Sequence, residues 1–212
     1  MMNSDILKYI FELNEIHPEI FPELRQFACE KKIPIIQKEV ANFLQVILTI
    51  VQPASILEIG TAFGYSTLIM ASCVKNCLIH CLELSKPACV QFKNTVNTYQ
   101  SILKNNNINI ELFEGKAQKI LKALNRTYHF IFIDARKDEY MEYLIDLEKV
   151  LDNKSIIIAD NCLWKGLVAS AAQDEKLRVK IIRDFNQYLF NSQNYLTSLL
   201  PIGDGLIFCV RI

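Results

Sequence analysis

Two short stretches carry residue types able to do chemistry. One is FIFID-Ala-Arg-Lys, which holds Asp134, Arg136 and Lys137; the other is IIIAD-Asn, which ends on Asp160 and Asn161. Each contains an apolar run of the kind that forms a strand covered on both faces. In an open parallel sheet the carboxyl ends of the strands border the ligand crevice. Two carboxylates and an amide converging there offer three hard oxygen donors, a set that suits Mg²⁺, Mn²⁺ or Ca²⁺ with water or substrate oxygens completing the shell. Taken alone, the same residues could equally cap a helix (Asp134) and shape a turn (Asp160, Asn161). Lys137 falls three residues after Asp134, at the start of a predicted helix, where it can serve as a general base.

A third stretch suggests a bound nucleoside. The run ILEIG leads into Thr61-Ala62-Phe63-Gly64-Tyr65-Ser66, giving Glu58-x-Gly60-x-x-x-Gly64 ahead of a helix. Glycines here are expected to let backbone approach a ligand, and the helix start offers free N–H groups. The middle glycine of a dinucleotide fingerprint is missing, which counts against a nicotinamide oxidoreductase. The next strand ends at Glu83, where a carboxylate can accept from ribose hydroxyls. Glu114-Gly115-Lys116-Ala117-Gln118 follows the third strand and could edge an adenine.

The elements that must position these residues alternate between strand-like and helix-like. Strands are predicted at 55–60, 78–84, 109–115, 128–135 and 154–161, with helices near 66–75, 86–104, 116–124 and 138–151. Ser66 is a plausible cap for the first helix, and Pro87 suits the first turn of the second. Residues 195–202 and 206–212, joined by Gly203-Asp204-Gly205, read as a hairpin. The expected fold is α/β, a mostly parallel Rossmann-like sheet with a C-terminal antiparallel hairpin and helices on both faces. Residues 1–52 read as helices broken at Pro18, Pro22 and Pro34, a packing, lid or dimerisation segment ahead of a main unit at 53–212.

Composition narrows the function. The chain has 212 residues, 51% of them hydrophobic, with 23 acidic and 23 basic side chains. Disorder is therefore excluded, and so is a protein that coats nucleic acid by bulk charge. No apolar run approaches the roughly 20 residues of a bilayer span, and the acids near the N-terminus do not suit a secretory signal. A cytoplasmic protein is expected. Cys73, Cys77 and Cys81 straddle a helix end and a strand and lack paired CxxC spacing, so they read as small buried residues rather than a metal cluster.

The Glu58-x-Gly60 turn followed by Glu83 resembles the first motif and ribose acid of the class I S-adenosylmethionine-dependent methyltransferases. With Asp134, Lys137, Asp160 and Asn161 added, residues 34–212 resemble the metal-dependent catechol and caffeoyl-CoA type of O-methyltransferase. The resemblance implies S-adenosylmethionine and Mg²⁺ (or Mn²⁺ or Ca²⁺) as cofactors, with Asp134, Asp160 and Asn161 as metal ligands and Lys137 as base. It also implies cofactor contacts from Ile36, Glu58, Gly60, Ser66, Glu83, Ala117 and Asp134, with Ser66 near the methionine carboxylate. Lys32-Ile33-Pro34-Ile35, Trp164 to Ala169 and the closing Pro-Ile-Gly-Asp-Gly-Leu are similar to bacterial tRNA 5-hydroxyuridine methyltransferases. That closeness makes 5-hydroxyuridine in a tRNA anticodon loop the leading acceptor, with a small catechol-like or caffeoyl-type phenol as the alternative. Trp164, Phe63 and Tyr140 are candidates to stack on the acceptor, and Arg136, Lys137 and Lys165 to meet phosphates. Arg136 stands where the bacterial members usually carry a small residue, which favours an anionic substrate. The C-terminus lacks a basic tail, which weakens the RNA reading. A homodimer is expected. A catalytically silent nucleotide-binding module is the contrasting class, and the intact Asp134, Lys137, Asp160 and Asn161 speak against it.

Overall fold

Strand residues alternate between the two faces of a sheet, so a run that is apolar at every position needs cover on both sides. The computed structural model, which describes residues 4–16, 19–170 and 177–212, supplies that cover. Three helices come first, α1 (Ser4–Ile16), α2 (Pro22–Lys31) and α3 (Lys38–Val51). Pro18 lies outside the described residues. Pro22 opens α2, as a residue without a helix-pairing N–H can, and Pro34 falls in the extended strip between α2 and α3.

The sheet follows: β1 (Ser55–Ile59), α4 (Tyr65–Cys73), β2 (Cys77–Glu83), α5 (Lys86–Thr98), α6 (Gln100–Asn106), β3 (Ile108–Glu114), α7 (Ala117–Ala123), β4 (Tyr128–Ile133), α8 (Tyr140–Leu147) and β5 (Leu151–Ala159). Then come α9 (Leu177–Asn191), β6 (Tyr195–Leu200) and β7 (Leu206–Arg211). The strand order is β3-β2-β1-β4-β5-β7-β6, with β1 to β5 parallel and β7 antiparallel to both its neighbours. This is the Rossmann-like sheet with an antiparallel closing hairpin that the apolar runs predicted. The chain leaves β1 toward β2 and β3, then returns to β4 on the other side of β1, so the order reverses between β1 and β4.

One face of the sheet packs Ile56, Phe130, Phe132 and Ile158 against Leu44, Leu48, Leu68 and Met70 of α3 and α4. The other packs Leu57, Ile59, Ile131 and Ile133 against Tyr140, Leu144 and Phe185 of α8 and α9. All seven cysteines are free thiols, and among the described residues no helix is long and apolar enough to cross a membrane.

Several boundaries differ from the sequence expectation for local reasons. The helix expected over 86–104 breaks at Tyr99, whose ring meets Phe21 edge-on at 5.0 Å while its hydroxyl donates to Glu23. Strand β5 begins at Leu151, because the preceding helix ends in a 3-10 turn at Glu148–Val150. Ser66 caps nothing: Gly64, at φ +95°, precedes the helix, and the Ser66 hydroxyl donates to Glu58 instead. Helix α9 has no counterpart in the sequence reading.

The glycines of the turn after β1 answer to protein rather than to ligand. A Cβ on Gly64 would meet the Phe92 ring at 3.0 Å. One on Gly60, at φ +92°, would stand 2.4 Å from the backbone oxygen of Asp134. Gly60→Ala is therefore expected to lose about 2–4 kcal/mol through left-handed strain and a backbone clash combined. Urea unfolding measures it, and a loss below about 1 kcal/mol would mean that β1 and β4 part at little cost.

Candidate active site

The reversal between β1 and β4 opens a crevice at the carboxyl ends of the strands, where such folds bind ligands. It is a cavity of about 630 Å³, within the usual range for a small-molecule site. Its walls come from the strip Pro34–Gln37, the turn Gly60–Phe63, Glu83 to Ser85, the start of α7, and the loops after β4 and β5.

At one end, Glu83 closes β2. Its carboxylate accepts from the backbone N–H of Ala62 and of Ser85, both at 2.8 Å. Ala62 sits at φ +48°, so Glu83 holds the turn in a left-handed conformation that costs an alanine energy. Each carboxylate oxygen retains a second lone pair for a ligand hydroxyl. Ile36, Gly60, Ser66, Ala117 and Asp134 also line the cavity.

Glu58 does not. It is fully buried beneath the turn, where it accepts from Thr61 at 2.8 Å and from Ser66 and Thr67. Burial raises its proton affinity and these hydroxyls lower it. Glu58 thus organises the turn from beneath it and does not line the cavity. Its hold on the Ser66 proton leaves the Ser66 hydroxyl offering lone pairs to the cavity, which suit a donor such as an ammonium.

At the other end, Asp134 and Asp160 extend β4 and β5 by one residue each, their backbone N–H groups bonding Ile59 and Ile133 oxygens at 3.0 Å. The strands pair Ile133 with Ala159, so the two carboxylates leave adjacent strands side by side. Lys137 is 8% exposed, and its Nζ lies 2.6 Å from Asp134 Oδ1. Asp160 is 2% exposed, and its proton affinity is pushed up to about 7 by burial first and by the charge of Asp134 second. The Asn161 N–H at 2.7 Å opposes that shift. Asn161 itself adopts φ +60° on the cavity wall. Among the described residues no group of three His, Cys, Asp or Glu side chains could hold a metal ion.

The loop after β5 depends on the hairpin. Gly205 and Asp204 oxygens accept from the N–H groups of Cys162 and Leu163 at 2.8 and 2.9 Å, and the Asp204 carboxylate accepts from Lys165. Trp164 and Lys165, at φ +46° and +55°, are held in conformations that non-glycine residues seldom adopt. Trp164 reaches the cavity wall under the Arg178 guanidinium, 5.5 Å from its ring centre.

Two further expectations are corrected. Tyr140 is fully buried and clamps the ends of β4 and β5, donating to the oxygens of Ile133 at 3.2 Å and Asp160 at 2.9 Å; it is not available to a substrate. Arg136 does line the cavity, but it is not a free cation: Asp138 at 2.8 Å and Glu139 at 3.3 Å share its charge, which weakens its pull on an anion. Sequence reasoning missed Gln37 and Tyr143 on the wall; neither stands in a pattern that marks a site.

The strand order is Rossmann-like, and the cavity lies at the strand ends where such folds bind ligands. The O-methyltransferase family model matches residues 12–212. Caffeoyl-CoA O-methyltransferase 2 of Populus trichocarpa is 30% identical over 233 residues, covering 100% of this chain and 91% of that protein. A solved structure from Staphylococcus aureus shares 27% identity over 97% of this chain and 98% of its own, with a TM-score of 0.84. The O-methyltransferase from Bacillus cereus, solved with SAH, has the same fold at 24% identity, a TM-score of 0.81 and coverage of 99% and 98%. The chain belongs to the O-methyltransferase family and is an S-adenosylmethionine-dependent methyltransferase.

Asp160 gives the metal-free protein a pH dependence. Unfolded, its carboxyl titrates near the ordinary aspartate value of about 3.9; folded, near about 7. Between those values the folded state keeps a proton that the unfolded state releases, so stability falls as pH rises. In EDTA at pH 8, Asp160→Asn should be more stable than wild type by on the order of a few kcal/mol, with the gap closing near pH 4. Urea unfolding at the two pH values tests this, and an equal gap at both would refute it.

Proposed function

We propose that this enzyme transfers the methyl group of S-adenosylmethionine to a hydroxyl beside a second oxygen, with a divalent cation held by Asp134, Asp160 and Asn161. The observation that carries the reading is a single cavity shared by Glu83 and Ser66 at one end and Asp134, Lys137, Asp160 and Asn161 at the other. The donor chemistry fits a hard cation. Asp160 is a carboxyl driven toward protonation by burial first and by its neighbour Asp134 second, and a cation offsets both.

When bound, the cofactor supplies the methyl group and the cation eases loss of the hydroxyl proton. The chain supplies the rest. Glu83 binds the ribose hydroxyls and Ala117 borders the base. Ser66 accepts from the ammonium of the methionine moiety. Lys137, held by Asp134, removes the hydroxyl proton as the oxygen–carbon bond forms and the carbon–sulfur bond breaks. The cavity walls keep oxygen, carbon and sulfur nearly in line.

The acceptor favoured is a small catechol-like or caffeoyl-type phenol. Such a molecule fits a mouth whose Arg136 already shares its charge with Asp138 and Glu139. The second reading is 5-hydroxyuridine in a tRNA anticodon loop, which presents the same pair of oxygens. The aromatic Trp164 on the cavity wall supports it. Nucleoside mass spectrometry of tRNA from a strain lacking the protein separates the two, since only the tRNA reading predicts loss of 5-methoxyuridine. Exposed Ile6, Tyr9, Phe11 and Ile16 on α1 support self-association as a homodimer, and the unpaired cysteines suit the cytoplasm.

Rigorous chelation should abolish turnover, and Mg²⁺ or Mn²⁺ should restore it; full activity in EDTA would remove the cation from the mechanism. Lys137→Arg keeps the charge but cannot give up a proton at accessible pH, so it should fail nearly as badly as Lys137→Ala. The expected loss is about 10²–10⁴-fold in kcat, the usual contribution of a positioned base. An arginine variant with most of its activity would leave Lys137 as a charge alone.

A further inference from the structure

We infer that Arg25 is a latch that holds one wall of the cofactor cavity closed and so sets how fast the cofactor leaves. The inference rests on the cofactor reading above. The wall is the strip Pro34–Gln37, which lies outside any helix or strand and so is not secured by a backbone ladder. Ile36 packs into the core and the Gln37 oxygen accepts from the Ala41 N–H at 3.0 Å; a guanidinium adds a polar tie to the far wall. Arg25, on α2, donates through Nη2 to the Ile36 oxygen at 3.4 Å and to the Tyr65 hydroxyl at 2.7 Å. Its Nε pairs with Glu19, and the Tyr65 hydroxyl donates to the same Glu19 carboxylate at 2.5 Å. The guanidinium also lies 5.1 Å from the centre of the Tyr65 ring.

Arg25 therefore joins three stretches that are far apart in sequence: its own helix with Glu19, the strip at Ile36, and the first residue of α4. Two of the three, Ile36 and Tyr65, wall the cavity themselves. Burial opposes the charge on Arg25, while Glu19 and Tyr65 support it; the second influence prevails. A half-buried cation held by several partners at once is a costly arrangement to keep on a surface that needs no such join. The planar fork of arginine is what reaches two acceptors from one nitrogen while its Nε engages a carboxylate. Lysine can serve one of these partners at a time. Arg25 touches no part of the reacting groups and acts through the strip and Tyr65, which makes it a positioning residue.

The test has a ligand-free arm and a ligand arm. Hydrogen exchange of the Ile35–Gln37 amides reports the strip in the empty protein. Trp164, the single tryptophan of the chain and part of the cavity wall, reports release of S-adenosylhomocysteine by stopped-flow fluorescence. Arg25→Ala should speed both exchange and release by about tenfold or more, the effect of losing bonds to a charged group. Tyr65→Phe, a milder change, should move both in the same direction, and Arg25→Lys should fall between wild type and Arg25→Ala. The KM for S-adenosylmethionine should rise by a larger factor than kcat falls. Wild-type exchange and release in a folded Arg25→Ala protein would overturn the latch and leave the cofactor reading intact. A wild-type protein that binds neither S-adenosylmethionine nor S-adenosylhomocysteine would overturn the cofactor reading, and the latch with it.

Discussion

The close approach of β1 to β4 at their carboxyl ends is the constraint on which the site depends. Gly60 passes so near the Asp134 backbone that no side chain fits between them. The Asp134 N–H bonds the Ile59 oxygen across the gap, and Asp160 repeats the bond to Ile133 one strand further on. Each carboxylate is thus carried on the last rung of a backbone ladder rather than on a free loop, and Tyr140 ties the two final rungs together from below. Groups that must act on a ligand need positions fixed to a fraction of an ångström, and strand ends give that fixity.

The cofactor end is built by a different device. The turn after β1 is wrapped around two carboxylates, Glu58 below it and Glu83 beside it. Glu58 takes hydroxyl bonds from Thr61, Ser66 and Thr67. Glu83 takes backbone bonds from Ala62 and Ser85. A carboxylate can accept several donors at once, so one residue can fix a turn that has no ladder of its own. This explains why the motif contains two acids with different fates: one is consumed by the fold, and the other stands at the wall with lone pairs to spare.

How much of this was legible in the sequence follows from what periodicity and strand ends can encode. The runs ILEIG, FIFID and SIIIAD named β1, β4 and β5 because strands buried on both faces have no room for polar residues. Once those strands were known, Asp134, Asp160 and Asn161 had to share one edge of the sheet. Helix α9 was missed because its buried residues, Val179, Ile182, Phe185 and Leu189, are set among charges and amides that mask the repeat. The dual roles of Glu58 and Ser66 were also hidden. Both stand in the motif, and only the direction of one hydrogen bond distinguishes a buried organiser from a wall residue. Tyr140 looked like a stacking residue because an aromatic near a candidate base suits either role, and burial decides between them.

Charge balance along the cavity separates its two tasks. At the mouth, Arg136 meets Asp138 and Glu139, and Arg178 stands 3.9 Å from Asp138, so positive charges there are matched by negative ones. At the floor the balance tips the other way. Asp134 and Asp160 face Lys137, and Asp204 adds its field to theirs. Opposite charges brought together out of water attract far more strongly than at a wetted surface, so an excess of carboxylate at the floor is felt by whatever enters. A neutral mouth and an acidic floor do not select a ligand by its overall charge. Both acceptor classes proposed for this enzyme carry adjoining oxygens, and the cation proposed at Asp134, Asp160 and Asn161 would let an acidic floor receive them.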